Sequence, residues 1–411
     1  MVVDSTPAGR ARRAGWVLGK GLVALVSVAA LALTGVAWFT VDRFKAATNT
    51  TSALAELRRQ PDDPPPDDGA VDILLVGDDS RTDAQGNALP ASVLKQLLRT
   101  QFDAGVNTDT IMLLRLPRNG GRPFAVSIPR DTYVTIPGYR DDKIDSAYGA
   151  TKERTLEQLL AAGQHDLAVR ERESSVAGQK ALIETVQNLT GVHVDHYVEV
   201  NLYGFYLLSK AIGGVEVCLR HATSDPDSGS NFRAGAQLVS GSNALSFVRQ
   251  RKNLPNGDLD RIVRQQVFLA SAARKVLSAG TLTNPSALSG LLDAMRKSLV
   301  TDPDLDFTVL VQQLQGLTSG AMEFLTIPVV NSNARSASGQ SIVSVDVGQV
   351  RRFMAALAAG GPTTPTHPPA TTPATRPPTP TTTPAPTPVP AAVPSNEPTP
   401  PVTIDGVRCV D

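Results

Sequence analysis

From Gly21 to Thr40 the chain reads GLVALVSVAALALTGVAWFT, a run without a single charged residue. A helix rising about 1.5 Å per residue over about 20 residues crosses a hydrocarbon layer of roughly 30 Å. This segment constrains everything else, because a chain that spans a membrane must fold its remaining residues on one side or the other. Arg10, Arg12, Arg13 and Lys20 precede the run, and Asp42 follows it. Basic residues stay on the cytoplasmic side, so residues 1–20 are expected inside the cell and everything after Thr40 outside. A cleaved signal peptide is the competing reading. The run is long for one, however, and its small-residue cleavage pattern is weak. The expectation is a single-pass anchor (21–40) in the cell membrane, with an extracytoplasmic C-terminal region.

An outside position bears on the two cysteines, Cys218 and Cys409. They are too few for a disulfide scaffold or a four-thiolate zinc site. In an oxidising compartment they either pair, tying the end of the chain to the folded domain, or remain two thiols with Cys218 inside a strand. Both readings stay open at this level. The 39 basic and 39 acidic residues cancel, which argues against a general nucleic-acid partner.

Two segments cannot build a core. Residues 41–69 read as a juxtamembrane linker, with a short helix around Ala53–Arg59 and then PDDPPPDD, a stiff and solvated spacer. Residues 361–411 form a Pro/Thr-rich tail that carries about half of the 31 prolines and is expected to be disordered and polyproline-like. The region between them, 70–360, alternates two periodicities. VDILLV (71–76), TIMLLRL (110–116), FAVSI (124–128), HYVEV (196–200) and VEVCL (215–219) read as strands. Helical spacing occupies 176–190, 202–212, 261–279, 285–299 and 347–358. One α/β or α+β layered domain with helices packed on a central sheet follows.

Chemistry concentrates in a few clusters of that domain. VGDDSR (76–81) follows the first strand and NTDT (107–110) opens the second. If these strands are antiparallel neighbours, Asp79 and Asp109 meet at one sheet edge. Two carboxylates with no histidine nearby suit a hard cation such as Mg²⁺, whereas an Asx-type cap is the plainer use of each. SIPRDTYVTIP (127–137) puts Arg130 just past a strand's C-terminal end, where ligands of helix-flanked sheets bind. A surface pair with Asp131 is the alternative.

SFVRQRKNLPNGDLDRIVRQQ (246–266) is the most informative stretch. Arg249 and Arg251 are two apart, so an extended backbone points them the same way. Asp258 or Asp260 can cap the helix that follows. Arg261 falls near its first turn, where a cation opposes the helix dipole and an anion would be drawn by both. Gln265 shares the face of Arg261, and Arg264, one step round, faces outward or pairs with an acid. Several arginines beside a carboxylate pair describe a clamp for pyrophosphate; a solvated charged face is the bland alternative. Neither GxxxxGK[ST] nor GxGxxG occurs, and His193 and His196 read as core or edge histidines.

Taken in order, DILLVGDDSR, TDTIMLLRL, VSIPRDTYVTIPG, DKIDSAYG, VDHYVEVNLYGF, AIGGVEVCL and ALSFVRQRKNLPNGDLDRIVRQQ resemble the LytR–CpsA–Psr family of bacterial envelope proteins, in its actinobacterial form. The resemblance covers roughly residues 70–357. It implies a layered α/β/α domain with a central mixed sheet, one transmembrane helix before it and a Pro/Thr-rich tail after it. It further implies a phosphotransferase that moves a glycopolymer, such as arabinogalactan, from a polyprenyl-pyrophosphate carrier to peptidoglycan. By motif, Asp79 and Asp109 correspond to the family's Mg²⁺ carboxylates, and with Arg130 and Arg261 they make up the expected catalytic set. Arg130, Arg249, Arg251, Arg261 and Gln265 correspond to the residues that hold the pyrophosphate, and the lipid is expected in an apolar tunnel. Where the family has an arginine two positions before the TDT aspartate, this chain has Asn107, with Arg81 as a candidate substitute. Many relatives carry a cysteine near AGAQ where this chain has Ala236, which leaves Cys409 as the candidate partner of Cys218. Asn107 also supports a different reading, a non-catalytic envelope scaffold that binds polyprenyl-linked glycan. Transcriptional regulation is opposed by the zero net charge and the absence of a helix-turn-helix pattern.

Overall fold

The computed structural model describes residues 49–57, 63–80, 82–98, 108–118, 121–277, 285–306, 310, 322–360, 402–403 and 408–411. The expected anchor (21–40), Arg81, Asn107 and residues 361–401 lie outside these. Among the described residues no helix is long and apolar enough to cross a membrane.

The chain runs β1 (Asn49–Thr50), α1 (Ala53–Glu56), β2 (Ala70–Asp78), α2 (Ala91–Leu98), β3 (Thr108–Pro117) and β4 (Phe124–Ser127). A hairpin of β5 (Tyr133–Thr135) and β6 (Asp141–Lys143) leads into two long helices, α3 (Asp145–Ala161) and α4 (Leu167–Thr190). Next come β7 (His196–Val200), α5 (Leu202–Ala211), β8 (Val215–Leu219), the hairpin β9 (Thr223–Asp225) and β10 (Ser230–Phe232), and β11 (Gly235–Val239). The helices α6 (Ser242–Arg249), α7 (Asp258–Leu277) and α8 (Pro285–Ser298) follow, then β12 (Leu299–Thr301) and β13 (Glu323–Thr326). A hairpin of β14 (Asn331–Arg335) and β15 (Ser341–Ser344), helix α9 (Val347–Ala358) and the short strands β16 (Val402–Thr403) and β17 (Cys409–Val410) complete it.

The central sheet has the order β1-β12-β7-β2-β3-β4-β13-β16 and mixes parallel with antiparallel pairs. Its middle strands carry near-continuous apolar runs, so both faces are covered. Leu74, Val76, Ile111 and Leu113 face one layer, where Tyr148 of α3, Leu182 and Val186 of α4, and Val350 and Met354 of α9 pack. Ile73, Met112 and Leu114 face the other, against Phe247 of α6, Val267 and Phe268 of α7, and Val215 and Val217 of β8. The architecture is thus a mixed α/β sandwich with a central mixed sheet. One layer differs from a pure helical one, because it also contains the three-stranded sheet β11-β8-β17.

Two boundaries differ from the sequence reading. Residues 49–57, assigned above to the linker, belong to the domain: β1 pairs in parallel with β12, and Ala53 is fully buried. Its small side chain lets α1 sit close to α4, where Thr51 Oγ1 donates to Gln179 Oε1. The tail is likewise not free to residue 411. β16 adds to the edge of β13, β17 runs parallel to β8, and Cys409 forms a disulfide with Cys218. Val402 and Val410 supply the reason, since both are buried in the core beside α7.

Helix α5 shows how tightly these layers meet. Asn201 caps it, accepting from the Gly204 amide at 2.7 Å. A Cβ on Gly204 would lie 2.5 Å from the Ser298 carbonyl oxygen and 2.9 Å from Ser298 Cα, backbone that cannot step aside. Gly204→Ala is therefore expected to destabilise the domain by about 2 kcal/mol through overpacking, measured by denaturant unfolding. A stability unchanged within error would show that the α5–α8 contact yields freely.

Candidate active site

The β2–β3 ladder pairs Ala70 with Pro117 and continues to Gly77 opposite Thr110, then slips so that Asp78 faces Thr108. The slip leaves Asp109 as the extra residue on β3, and a bulge of this kind re-aims a side chain at a sheet end. Because β3 is antiparallel to both β2 and β4, its start lies beside the ends of both neighbours. Asp79, Asp109 and Arg130 therefore share one end of the sheet, as the antiparallel condition required. The beginning of α7 brings Asp258 and Arg261 to the same place.

Three carboxylates hold the arginines together. Asp109 Oδ1 accepts from Arg130 Nη1 and lies 3.8 Å from Arg261 Nη1. Asp258 Oδ1 is 2.8 Å from Arg261 Nη2, 3.5 Å from Arg251 Nε and 4.0 Å from Arg130 Nε. Asp131 Oδ2 sits 3.9 Å from both Arg130 Nε and Arg251 Nη2, while its Oδ1 accepts from Lys143 Nζ at 2.7 Å. Arg249, at the end of α6, adds its field to Asp109. Arg261 is almost completely buried, at 2 % exposure.

Burial alone would raise the Asp109 carboxyl, but Arg261, Arg130 and Arg249 outweigh it and hold the group below its ordinary value. Arg130 shows the converse balance: burial lowers it, and Asp109, Asp131, Asp258 and Asp145 push it above its usual value. Burial wins at Arg261, which lies below the usual guanidinium value yet stays cationic at neutral pH. The Nε groups of both Arg130 and Arg261 are buried and make no hydrogen bond. The arginines are thus braced by shared carboxylates, while the Nε groups of Arg130 and Arg261 and both carboxylate oxygens of Asp258 are buried without a hydrogen bond.

As for a metal, no cluster of three or more His, Cys, Asp or Glu among the described residues could hold one. Two carboxylates at one sheet end leave most of a cation's coordination to water and ligand oxygens. Carboxylate oxygens are the donor type that a hard cation such as Mg²⁺ takes.

Of the residues singled out in the sequence, Asp109, Arg130, Arg251 and Arg261 are linked through shared carboxylates and Arg249 acts on Asp109 through its charge; Asp79 follows β2 at the same sheet end, and Gln265 lies one turn along α7 from Arg261. Three details differ. Arg249 and Arg251 do not share an extended strand, because Arg249 is the last residue of α6 and Gln250 its C-cap. Arg130 is not a surface residue with one acid, since its side chain is 16 % exposed and meets three. Arg264 neither faces outward nor pairs with an acidic side chain; it is fully buried and donates to the Asp411 main-chain oxygen and Gln250 Oε1. Gln265 Nε2 donates to the Val248 carbonyl at 3.3 Å, which ties α7 to α6.

Sequence reasoning missed a buried polar cluster beneath the site. Glu199 Oε2 accepts from Tyr197 Oη at 2.6 Å and from Gln179 Nε2 at 3.0 Å. Burial, then the neighbouring Asp78 carboxylate, raise Glu199 to about 8. The available signal was an acid two residues from Tyr197, on the inward face of β7. The folded value exceeds the unfolded one, so stability is lost as pH rises through the folded value. Between pH 7 and 9 the wild type is expected to lose about 1 kcal/mol that Glu199→Gln, a mimic of the protonated acid, retains. Parallel denaturant titrations at the two pH values measure this, and equal losses in both proteins would rule it out.

The geometry defines a layered α/β domain with arginines and acids gathered at one sheet end, and similarity makes the class specific. The chain belongs to the LytR_cpsA_psr family, whose model matches residues 38–358. It is 46% identical over 342 residues to the cell wall biosynthesis protein LcpA of Corynebacterium glutamicum, a match covering 83% of this chain and 66% of LcpA. The chain thus spans just under two thirds of that relative's length. It is 29% identical over 270 residues to the polyisoprenyl-teichoic acid–peptidoglycan teichoic acid transferase TagU of Oceanobacillus iheyensis, covering 66% of this chain and 69% of TagU. The crystal structure of B. subtilis TagV shares the fold, with a TM-score of 0.51 at 20% identity over 71% of this chain and 98% of TagV.

Proposed function

We propose that this protein is a cell-wall glycopolymer transferase, a phosphotransferase that moves a polysaccharide from a polyprenyl-pyrophosphate carrier to peptidoglycan on the outer face of the membrane. The observation that carries the reading is the pair of buried Nε donors on Arg130 and Arg261 that make no hydrogen bond inside an acid-braced arginine cluster. Pyrophosphate is the ligand chemistry that uses several forked donors at once. Membership of the LytR_cpsA_psr family supports it, as do relatives named for cell wall biosynthesis and for teichoic acid transfer to peptidoglycan.

In this reading Arg130 and Arg261 bind the non-bridging phosphate oxygens, with Arg249 and Arg251 closing the outer side. Asp131 and Asp258 orient the guanidiniums, so the donors are fixed before substrate arrives and need no reorganisation as charge develops on the departing polyprenyl phosphate. Asp79 and Asp109 would hold Mg²⁺, which supplies further neutralisation of phosphate charge. Asp109 is a poor base because its arginine partners keep it ionised and engaged, so it serves the site as an anion. Arabinogalactan or a related polymer is the proposed cargo.

The test is transfer itself. Arg261→Ala is expected to lower release of polyprenyl phosphate from a polyprenyl-pyrophosphate substrate by about 10²-fold or more while the circular dichroism spectrum is retained. Activity within about twofold of wild type would remove Arg261 from the site. A wild type that binds the carrier without turnover would favour the scaffold reading.

A further inference from the structure

Arg264 lies between Arg261 and Gln265 on α7 but turns away from the acids of the site. Three contacts define it. Its Nε donates to the Asp411 main-chain oxygen at 2.6 Å, its Nη1 to Gln250 Oε1 at 2.9 Å, and its guanidinium carbon stands 5.1 Å from the Phe247 ring centroid. Burying a guanidinium without a carboxylate side chain against it is costly, and that burial pulls Arg264 down to about 10. Such a residue does not serve merely to fill space. Its rigid fork fixes two segments relative to α7.

The first segment is the loop that carries the outer arginines. Gln250 is the residue between Arg249 and Arg251, and its Nε2 donates to Thr223 Oγ1 at 2.5 Å and to the Lys252 carbonyl at 3.0 Å. Asp225 Oδ2 accepts from the amides of Arg251 and Lys252 at 3.3 and 3.4 Å, and Asn253 Nδ2 reaches the Ser224 carbonyl at 2.7 Å. The Arg251 side chain, by contrast, is 47% exposed. Its two carboxylate contacts are long, 3.5 Å to Asp258 Oδ1 and 3.9 Å to Asp131 Oδ2, so the backbone around Gln250 has a large share in setting its direction.

The second segment is the C-terminal strand. β17 pairs in parallel with β8, the Arg220 amide donates to the Val410 carbonyl at 2.8 Å, and Val410 is buried near Val267 and Phe268. The Asp411 carboxylate meets Arg220 Nη1 at 3.2 Å and His221 Nδ1 at 2.8 Å. Asp411 thus presents its main-chain oxygen to Arg264 from a held position.

We propose that Arg264 is a positioning residue for the arginine clamp: through Gln250 it sets Arg249 and Arg251 against Arg261, and it takes its own place from residues 408–411. The inference rests on the pyrophosphate reading of the site, and the experiment separates the two. Binding of inorganic pyrophosphate with Mg²⁺ to the full chain is measured by calorimetry, well below the melting temperature of each variant. The variants are Arg261→Ala, Arg264→Lys, Gln250→Leu, the Arg264→Lys/Gln250→Leu double and a chain ending at Thr403. Arg264→Lys, Gln250→Leu and the shortened chain are each expected to weaken binding about fivefold or more, with the double no worse than the poorer single, because both act along one path. A brace that only stabilises the fold would lower melting temperatures and leave affinity unchanged, and that result overturns the proposal. If the shortened chain does not fold, the two point variants decide. Should Arg261→Ala bind as tightly as wild type, the pyrophosphate reading itself falls; loss of binding in Arg261→Ala with wild-type affinity in the other variants removes only the brace.

Discussion

Guanidinium groups within ion-pair reach of the same oxygens repel one another, and nothing at the end of this sheet would hold them together without Asp109, Asp131 and Asp258. Each of these acids reaches at least two arginines or an arginine and a lysine. The cluster is therefore a lattice of shared carboxylates, not a set of separate pairs. In a partly buried setting such sharing is worth more than on a wet surface, because the effective dielectric is lower. The rest of the architecture serves to deliver these acids. The β2–β3 bulge aims Asp109, the turn after β4 supplies Arg130 and Asp131 together, and the first turn of α7 presents Asp258 and Arg261 one helical step apart.

Much of this was legible in the sequence, for identifiable reasons. The near-continuous apolar runs VDILLV and TIMLLRL are the pattern of strands covered on both faces, and both strands are present, extended by one to two residues at their ends. The placement of Asp79 and Asp109 at one sheet end followed from one topological condition, an antiparallel β2–β3 pair. Helix α3 was not legible, since DSAYGATKERTLEQLLA mixes its apolar positions with charges and a glycine. Local spacing also misled at Arg249 and Arg251, because a short helix ends between them. Arg264 illustrates the wider limit: its partners, Gln250 and Asp411, lie 14 and 147 residues away, and no periodicity encodes such a meeting.

Cys218 makes the same point from the other direction. Its register neighbours are Ala236 on β11 and Cys409 on β17, so the strand is flanked by two positions from which a thiol would be near it. The sequence left pairing and non-pairing both open; tertiary structure resolved the matter by adding a third strand built from the last residues described. Val410 and Val402 explain why those residues dock at all, since each buries an aliphatic side chain beside α7 and offsets part of the entropy of ordering the chain end.

Because α9 ends at Ala358 and Val402 pairs again within the central sheet, the chain is held to the domain on both sides of the Pro/Thr-rich stretch. Closure entropy grows only with the logarithm of loop length, about 0.6 kcal/mol per doubling. The stretch could therefore lengthen or shorten over evolution with little effect on the anchoring of β16 and β17. Cleavage anywhere within it would also leave a two-chain molecule in one piece, with the small fragment retained by the Cys218–Cys409 bond.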